Sequence, residues 1–144
     1  MVARFAESCG FSSMAHIKGE PSIFSIKMGI EGGVACLCGA ATISLLNAAL
    51  EKVFLFGEPY DVISYGYDNI EFPTPNIAGG SVEFTFTVLS TKSAAFPLKR
   101  IKKSLPMSNI SFVCHGTNTL TGKKVIQLIW HLGYIATSEI NNIT

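Results

Sequence analysis

A chain of 144 residues fits one domain over 1–144 and buries roughly 68–70% of its unfolded surface, enough for a core without metal or disulfide staples. With 48% hydrophobic and 15% charged residues it lacks the composition that keeps chains disordered. A formal net charge of +1 supplies no field for a polyanion, which argues against nucleic-acid binding.

From the start, Met1 to Phe11 carries Arg4 and Glu7 among scattered apolar residues rather than a hydrophobic stretch, so no secretory signal is read there. The four cysteines, Cys9, Cys36, Cys38 and Cys114, show no CxxC pairing and are expected to be reduced and unmetallated. A cytoplasmic or mitochondrial-matrix location is expected, not secretion. No cofactor or metal is called for, since His115, Asn118 and His131 lack ligand spacing.

A short strand is expected over about 23–28. From Gly32 to Leu50 there is no charged residue, and the segment is long enough to be weighed as a membrane span. Small residues crowd its interior, and Glu31, Glu51 and Lys52 bound it in place of basic flanks. A buried helix over about 32–52, apolar all round, is the expected reading, with no transmembrane segment.

Downstream the period changes to two. In Ser81 to Leu89 the residues Val82, Phe84, Phe86 and Val88 alternate with Glu83, Thr85 and Thr87, the pattern of a half-buried strand. Further strands are expected over about 62–72, 108–115 and 124–135. Pro73, Pro75, Gly79 and Gly80 break the chain between the second and third, and Thr121-Gly122-Lys123 turns it before the last. Short breaks favour antiparallel neighbours. The expected fold is therefore α+β, an antiparallel sheet wrapped around one long central apolar helix, the hotdog arrangement in outline.

Three blocks then resemble the phenylacetyl-CoA-type thioesterases of the hotdog superfamily. Glu31-Gly32-Gly33-Val34 is similar to the turn that opens that family's helix. Asp68 to Gly79 resembles its strand ending in an aromatic residue followed by Pro and Gly. Thr117 to Lys123 is similar to the turn between its last two strands. The resemblance implies hydrolysis of acyl-CoA in a homodimer or dimer of dimers, each active site being shared by two subunits.

Thioester hydrolysis needs an activated nucleophile and donors for a developing oxyanion. Gly32 and Gly33 at a helix N-terminus would offer backbone amides, although Gly-Gly also serves simply as a sharp turn. The family pattern carried forward from Gly32 places its helix carboxylate at Ala40, which cannot activate water. Glu31 stands where the family has histidine and is either a relocated base or a solvated residue favoured by the helix dipole. Tyr65 takes the place of a family hydroxyl that orients the nucleophile, and alternation puts it on one side with Tyr67, Asn69 and Glu71. Lys99, Arg100, Lys102 and Lys103, in an expected extended connection, are either phosphate-binding cations for coenzyme A or a solvated loop.

Three functions follow in order. The first is hydrolysis of an acyl-CoA thioester, with Glu31, Gly32, Gly33 and Tyr65 catalytic and Asn69 and the basic residues binding substrate. The second is a noncatalytic acyl-CoA-binding or oligomer-partner protein, favoured by Ala40. The third is a hydratase or dehydratase, for which no Asp or Glu paired with His is visible near the helix.

Overall fold

The antiparallel pairing of long strands dominates the chain. A computed structural model describes Ile26 and residues 35–53, 59–99 and 102–141. In chain order the elements are β1 (Cys36–Leu37), α1 (Gly39–Val53), β2 (Tyr60–Glu71), β3 (Asn76–Ile77), β4 (Val82–Leu98), β5 (Lys103–Asn118), β6 (Lys124–Ala136) and α2 (Thr137–Asn141). Four strands form an antiparallel sheet in the order β2-β6-β5-β4, and β1 pairs with β3 as a separate two-stranded piece.

The expectation of a sheet wrapped around one long central helix is overturned. The described helices are short, 15 and 5 residues, while β4 and β5 run for 17 and 16. At 1.5 Å per residue α1 is only roughly 22 Å long. It rests on one face of the sheet through Thr42, Leu46 and Leu50, a stripe at four-residue spacing, while Leu45 remains 40% exposed. An apolar composition all round the helix therefore did not mean burial all round. Of the expected 32–52 helix, residues 36–37 are strand, paired with Asn76 and Ile77. Of the expected 23–28 strand, only Ile26 is described, and its backbone is helical.

The alternating segment around 81–89 lies in β4, which continues to Leu98 because it pairs with β5 along its whole length. Lys99 and Lys102 consequently lie in the bend of a long β4–β5 hairpin, with Lys103 opening β5, rather than in an extended connection. Pro97 is tolerated because β4 is an edge strand, and Pro106 because β5 pairs with β6 only from Ser108 onward.

Two apolar clusters sit on opposite faces. Leu46 and Leu50 of α1 pack with Phe112, Cys114, Leu128 and Trp130. Leu105, Met107 and Ile135 pack with Ala94, Phe96 and Ile140, toward the α2 end. No helix among the described residues is long and apolar enough to cross a membrane.

One polar chain crosses the fold. Asn118 is fully buried, its Nδ2 donating to Asn76 Oδ1 at 2.8 Å and Ile77 O at 3.0 Å, while its Oδ1 accepts from the amides of Leu120 and Thr121. Asn76 Nδ2 donates to Thr42 Oγ1, and Thr42 in turn donates to Cys38 O. Replacing Asn118 by Ala strands several buried groups, each costing about 1–3 kcal/mol. Urea unfolding of Asn118→Ala is expected to show a loss of about 3 kcal/mol, against under about 1 kcal/mol for exposed Thr121→Ala. Equal midpoints for Asn118→Ala and wild type would disprove the role of this chain.

Candidate functional site

Helix α1 uses two stripes. Thr42, Leu46 and Leu50 touch the sheet side, whereas Leu45, Ala48, Ala49, Lys52 and Val53, spaced i, i+3, i+4, i+7 and i+8, border a groove. The opposite wall is the inward row of β4, Val82, Phe84 and Phe86. Because Ala48 and Ala49 are small, a cavity of about 430 Å³ is left between helix and strand. That size falls in the range of small-molecule sites, roughly 300–1,000 Å³.

Chemically the groove is an apolar trough with polar ends. Lys52 contributes an exposed ammonium in the last turn of α1, where the helix dipole favours a cation. Asn76 and Ser81 provide amide and hydroxyl groups. Among the described residues lining it there is no Asp, Glu, His, Cys or Tyr, and Lys52 is the titratable side chain it holds. Among the described residues no group of three or more His, Cys, Asp or Glu is arranged to hold a metal ion.

Of the residues singled out from sequence, the described ones, Tyr65, Asn69, Lys99, Lys102 and Lys103, do not line this groove. Glu31, Gly32, Gly33 and Arg100 lie outside the described residues. Helix α1 starts at Gly39, preceded by β1, rather than at about residue 32. At that start Phe72 covers Gly39 so closely that a Cβ would fall 2.6 Å from its ring. Ala40 is exposed in the first turn, which carries no acidic residue.

Tyr65 is also displaced from its expected surroundings. Its hydroxyl donates to Met107 Sδ at 2.8 Å, in the cluster on the face away from α1. The tyrosine that meets the helix is Tyr67, which donates to Asn47 Oδ1 at 3.2 Å and packs on Trp130 with ring centroids 5.3 Å apart. The bulge between Ser64 and Gly66 breaks the alternation that would have put these tyrosines on one side, and a second bulge lies between Asp68 and Glu71. Asn69 lies in the second bulge, exposed, with φ 52°. Lys99, Lys102 and Lys103 are exposed at the hairpin end, twelve residues beyond Phe86 along β4, roughly 40 Å at strand rise. They do not line the groove; Lys52 is the cation that does.

The structure also joins residues that sequence reasoning left apart. His131 Nε2 stands 2.8 Å from Asp68 Oδ2, and His131 Nδ1 stands 2.9 Å from Ser111 Oγ. Only strand pairing brings together residues so distant in sequence, and no local motif announces it.

In fold alone the chain is similar to the solved structure of a monoamine oxidase regulatory protein from Archaeoglobus fulgius, with a TM-score of 0.62 and 14% sequence identity over 94% of this chain and 79% of that one. No protein-family model matches the sequence, and no curated protein matches it. Likeness at that identity carries architecture and not chemistry.

Cys36, Cys38 and Cys114 are buried thiols. Burial pushes Cys114 from the usual 9.0 up to about 12, and it raises Cys36 and Tyr134 as well. Desolvation also raises Tyr67. A raised acid holds its proton longer in the folded state, so its contribution is complete below pH 9 and is lost as pH climbs toward 12. The urea midpoint is expected to fall across that window, and less steeply in Cys114→Ala; parallel pH profiles would contradict this assignment.

Proposed function

We propose that this chain binds the acyl part of an acyl-CoA in the groove between α1 and β4 without hydrolysing the thioester there. The observation that carries the reading is the groove itself, an apolar trough between Ala48 and Phe84 with Lys52 in its lining and no carboxylate, imidazole or thiol among the described residues. An acyl chain gains about 0.8 kcal/mol per buried CH₂, and an ammonium at the rim suits phosphate groups on the exposed part of the ligand.

Association with a second copy belongs to the same reading. Among the described residues β2 and β4 are the edge strands of the four-stranded sheet, and exposed Tyr60, Tyr65 and Ile70 lie along β2. A reducing compartment, cytoplasm or mitochondrial matrix, agrees with three buried cysteines that form no disulfide. Light scattering on the eluted protein is expected to give at least twice the chain mass, and a monomer mass would refute the association.

Binding is tested by calorimetric titration with saturated acyl-CoAs of increasing length. Affinity should rise up to about tenfold for every two carbons and level off when the groove is full. Ala48→Trp should weaken binding by at least about tenfold, which is 1.4 kcal/mol, and Lys52→Glu should weaken it too. Length-independent affinity, or an Ala48→Trp protein that binds as wild type, would exclude the groove. Thiol release abolished by Glu31→Ala would replace binding with hydrolysis.

A further inference from the structure

The sheet face turned away from α1 carries a hydrogen-bonded chain drawn from three adjacent strands: Asp68 on β2, His131 on β6 and Ser111 on β5. A carboxylate can only accept hydrogen bonds, so with a neutral imidazole Nε2 carries the proton toward Asp68. Nδ1 is then the lone pair that accepts from the Ser111 hydroxyl at 2.9 Å. This is a base aimed at a serine oxygen and fixed by an acid, the arrangement that activates a hydroxyl nucleophile. The two ring nitrogens are exchanged relative to the familiar serine hydrolases, but the direction of proton flow is the same.

The local fold prepares the place. Ser111 and His131 are cross-strand partners, and their rung continues to Ser90 on β4 and Gly66 on β2. Both outer strands bulge beside this rung, between Val88 and Ser90 and between Ser64 and Gly66. Bulges re-aim side chains and recur next to active sites. Gly66, the cross-strand partner of His131, has φ 138° and open space beside it, since a Cβ there would meet nothing within 4 Å. His131 is 34% exposed and Asp68 68% exposed, so a reactant can arrive from solvent. An exposed His–Asp contact adds little stability. Val113 and Ile129, paired two residues along on the same face, offer half-buried apolar surface for an acyl group, and Ser90 supplies a hydroxyl donor in the rung of Ser111.

We propose that Ser111 is a nucleophile toward carboxylic esters, with His131 as its base and Asp68 as the positioning residue. Ser111 Oγ bonds to the carbonyl carbon while its proton passes to His131 Nδ1. The bond from that carbon to the alcohol oxygen breaks, and the alcohol leaves with the proton. Water then adds to the acyl-Ser111 carbon, losing a proton through His131, and the bond to Ser111 breaks to release the carboxylic acid and restore the hydroxyl. None of the three residues lines the groove of α1 and β4, so this activity stands or falls apart from acyl-CoA binding there.

The test is labelling of the full chain with an alkyl fluorophosphonate, followed by intact mass and peptide mapping. One adduct is expected, on Ser111, with none on Ser111→Ala. His131→Gln should label at least about 100-fold more slowly. Asp68→Asn should also be slowed, with partial recovery in Asp68→Glu, a rescue that a purely structural role would not produce. Thr121→Ala, an exposed change in the turn before β6, should label at the wild-type rate. No adduct on the wild type, an adduct mapped to another residue, or wild-type labelling of His131→Gln would overturn the proposal. The mapping and the His131→Gln rate decide the matter even if Ser111→Ala fails to fold.

Discussion

Asn118 is the residue through which separate parts of the chain are made to depend on one another. Its amide is used to capacity on both sides, with two donated and two accepted bonds. Those bonds hold the turn after β5, the short strand β3 and, through Asn76 and Thr42, the first turn of α1. In a dry interior each such bond is stronger than in water, and each loss leaves a desolvated group behind. The position of α1, and hence the width of the groove beside it, follows from this polar chain as well as from the contacts of Leu46 and Leu50.

The strands were legible where the ladder is regular and misleading where it is not. Val82, Phe84 and Phe86 alternate in sequence and do face the helix-side cluster. Carried forward at the same period, Ala94, Phe96 and Leu98 would face that side too, yet they pack in the opposite cluster. The bulge between Val88 and Ser90 exchanges the faces. Nothing in the residues around Leu89 advertises the extra position, since neither Gly nor Pro marks it. In β2 the slip between Ser64 and Gly66 does the same to Tyr65 and Tyr67, separating side chains that simple alternation would join.

The helix was legible as apolar but not as half-exposed. Composition cannot tell whether an apolar face meets a sheet, a ligand or nothing, and here α1 divides its surface between the sheet and a groove. Its start was misplaced because Cys36 and Leu37 look no less helical than their neighbours, and only pairing with Asn76 and Ile77 makes them strand. The groove itself could have been suspected from the apolar stripe and the alanines at 48 and 49. The contact of Ser111, His131 and Asp68 could not, because it depends on strand order and register rather than on spacing.

Strand order and register also explain why polar, ionisable groups occur where they do. The sheet buries one face against α1 at one end and the other face toward α2 at the other, with β4 changing sides at its bulge. Between the two clusters lies a zone in which neither burial is complete. Full burial of a charged carboxylate or imidazolium would require compensation that a packed apolar cluster does not provide. Full exposure would let water compete for each hydrogen bond and release the geometry. Half-buried Ser111 and His131 sit at the crossover, with Asp68 reaching them from the solvent edge of β2, so the rung that marks the change of face is also where a polar chain can be both held and reached.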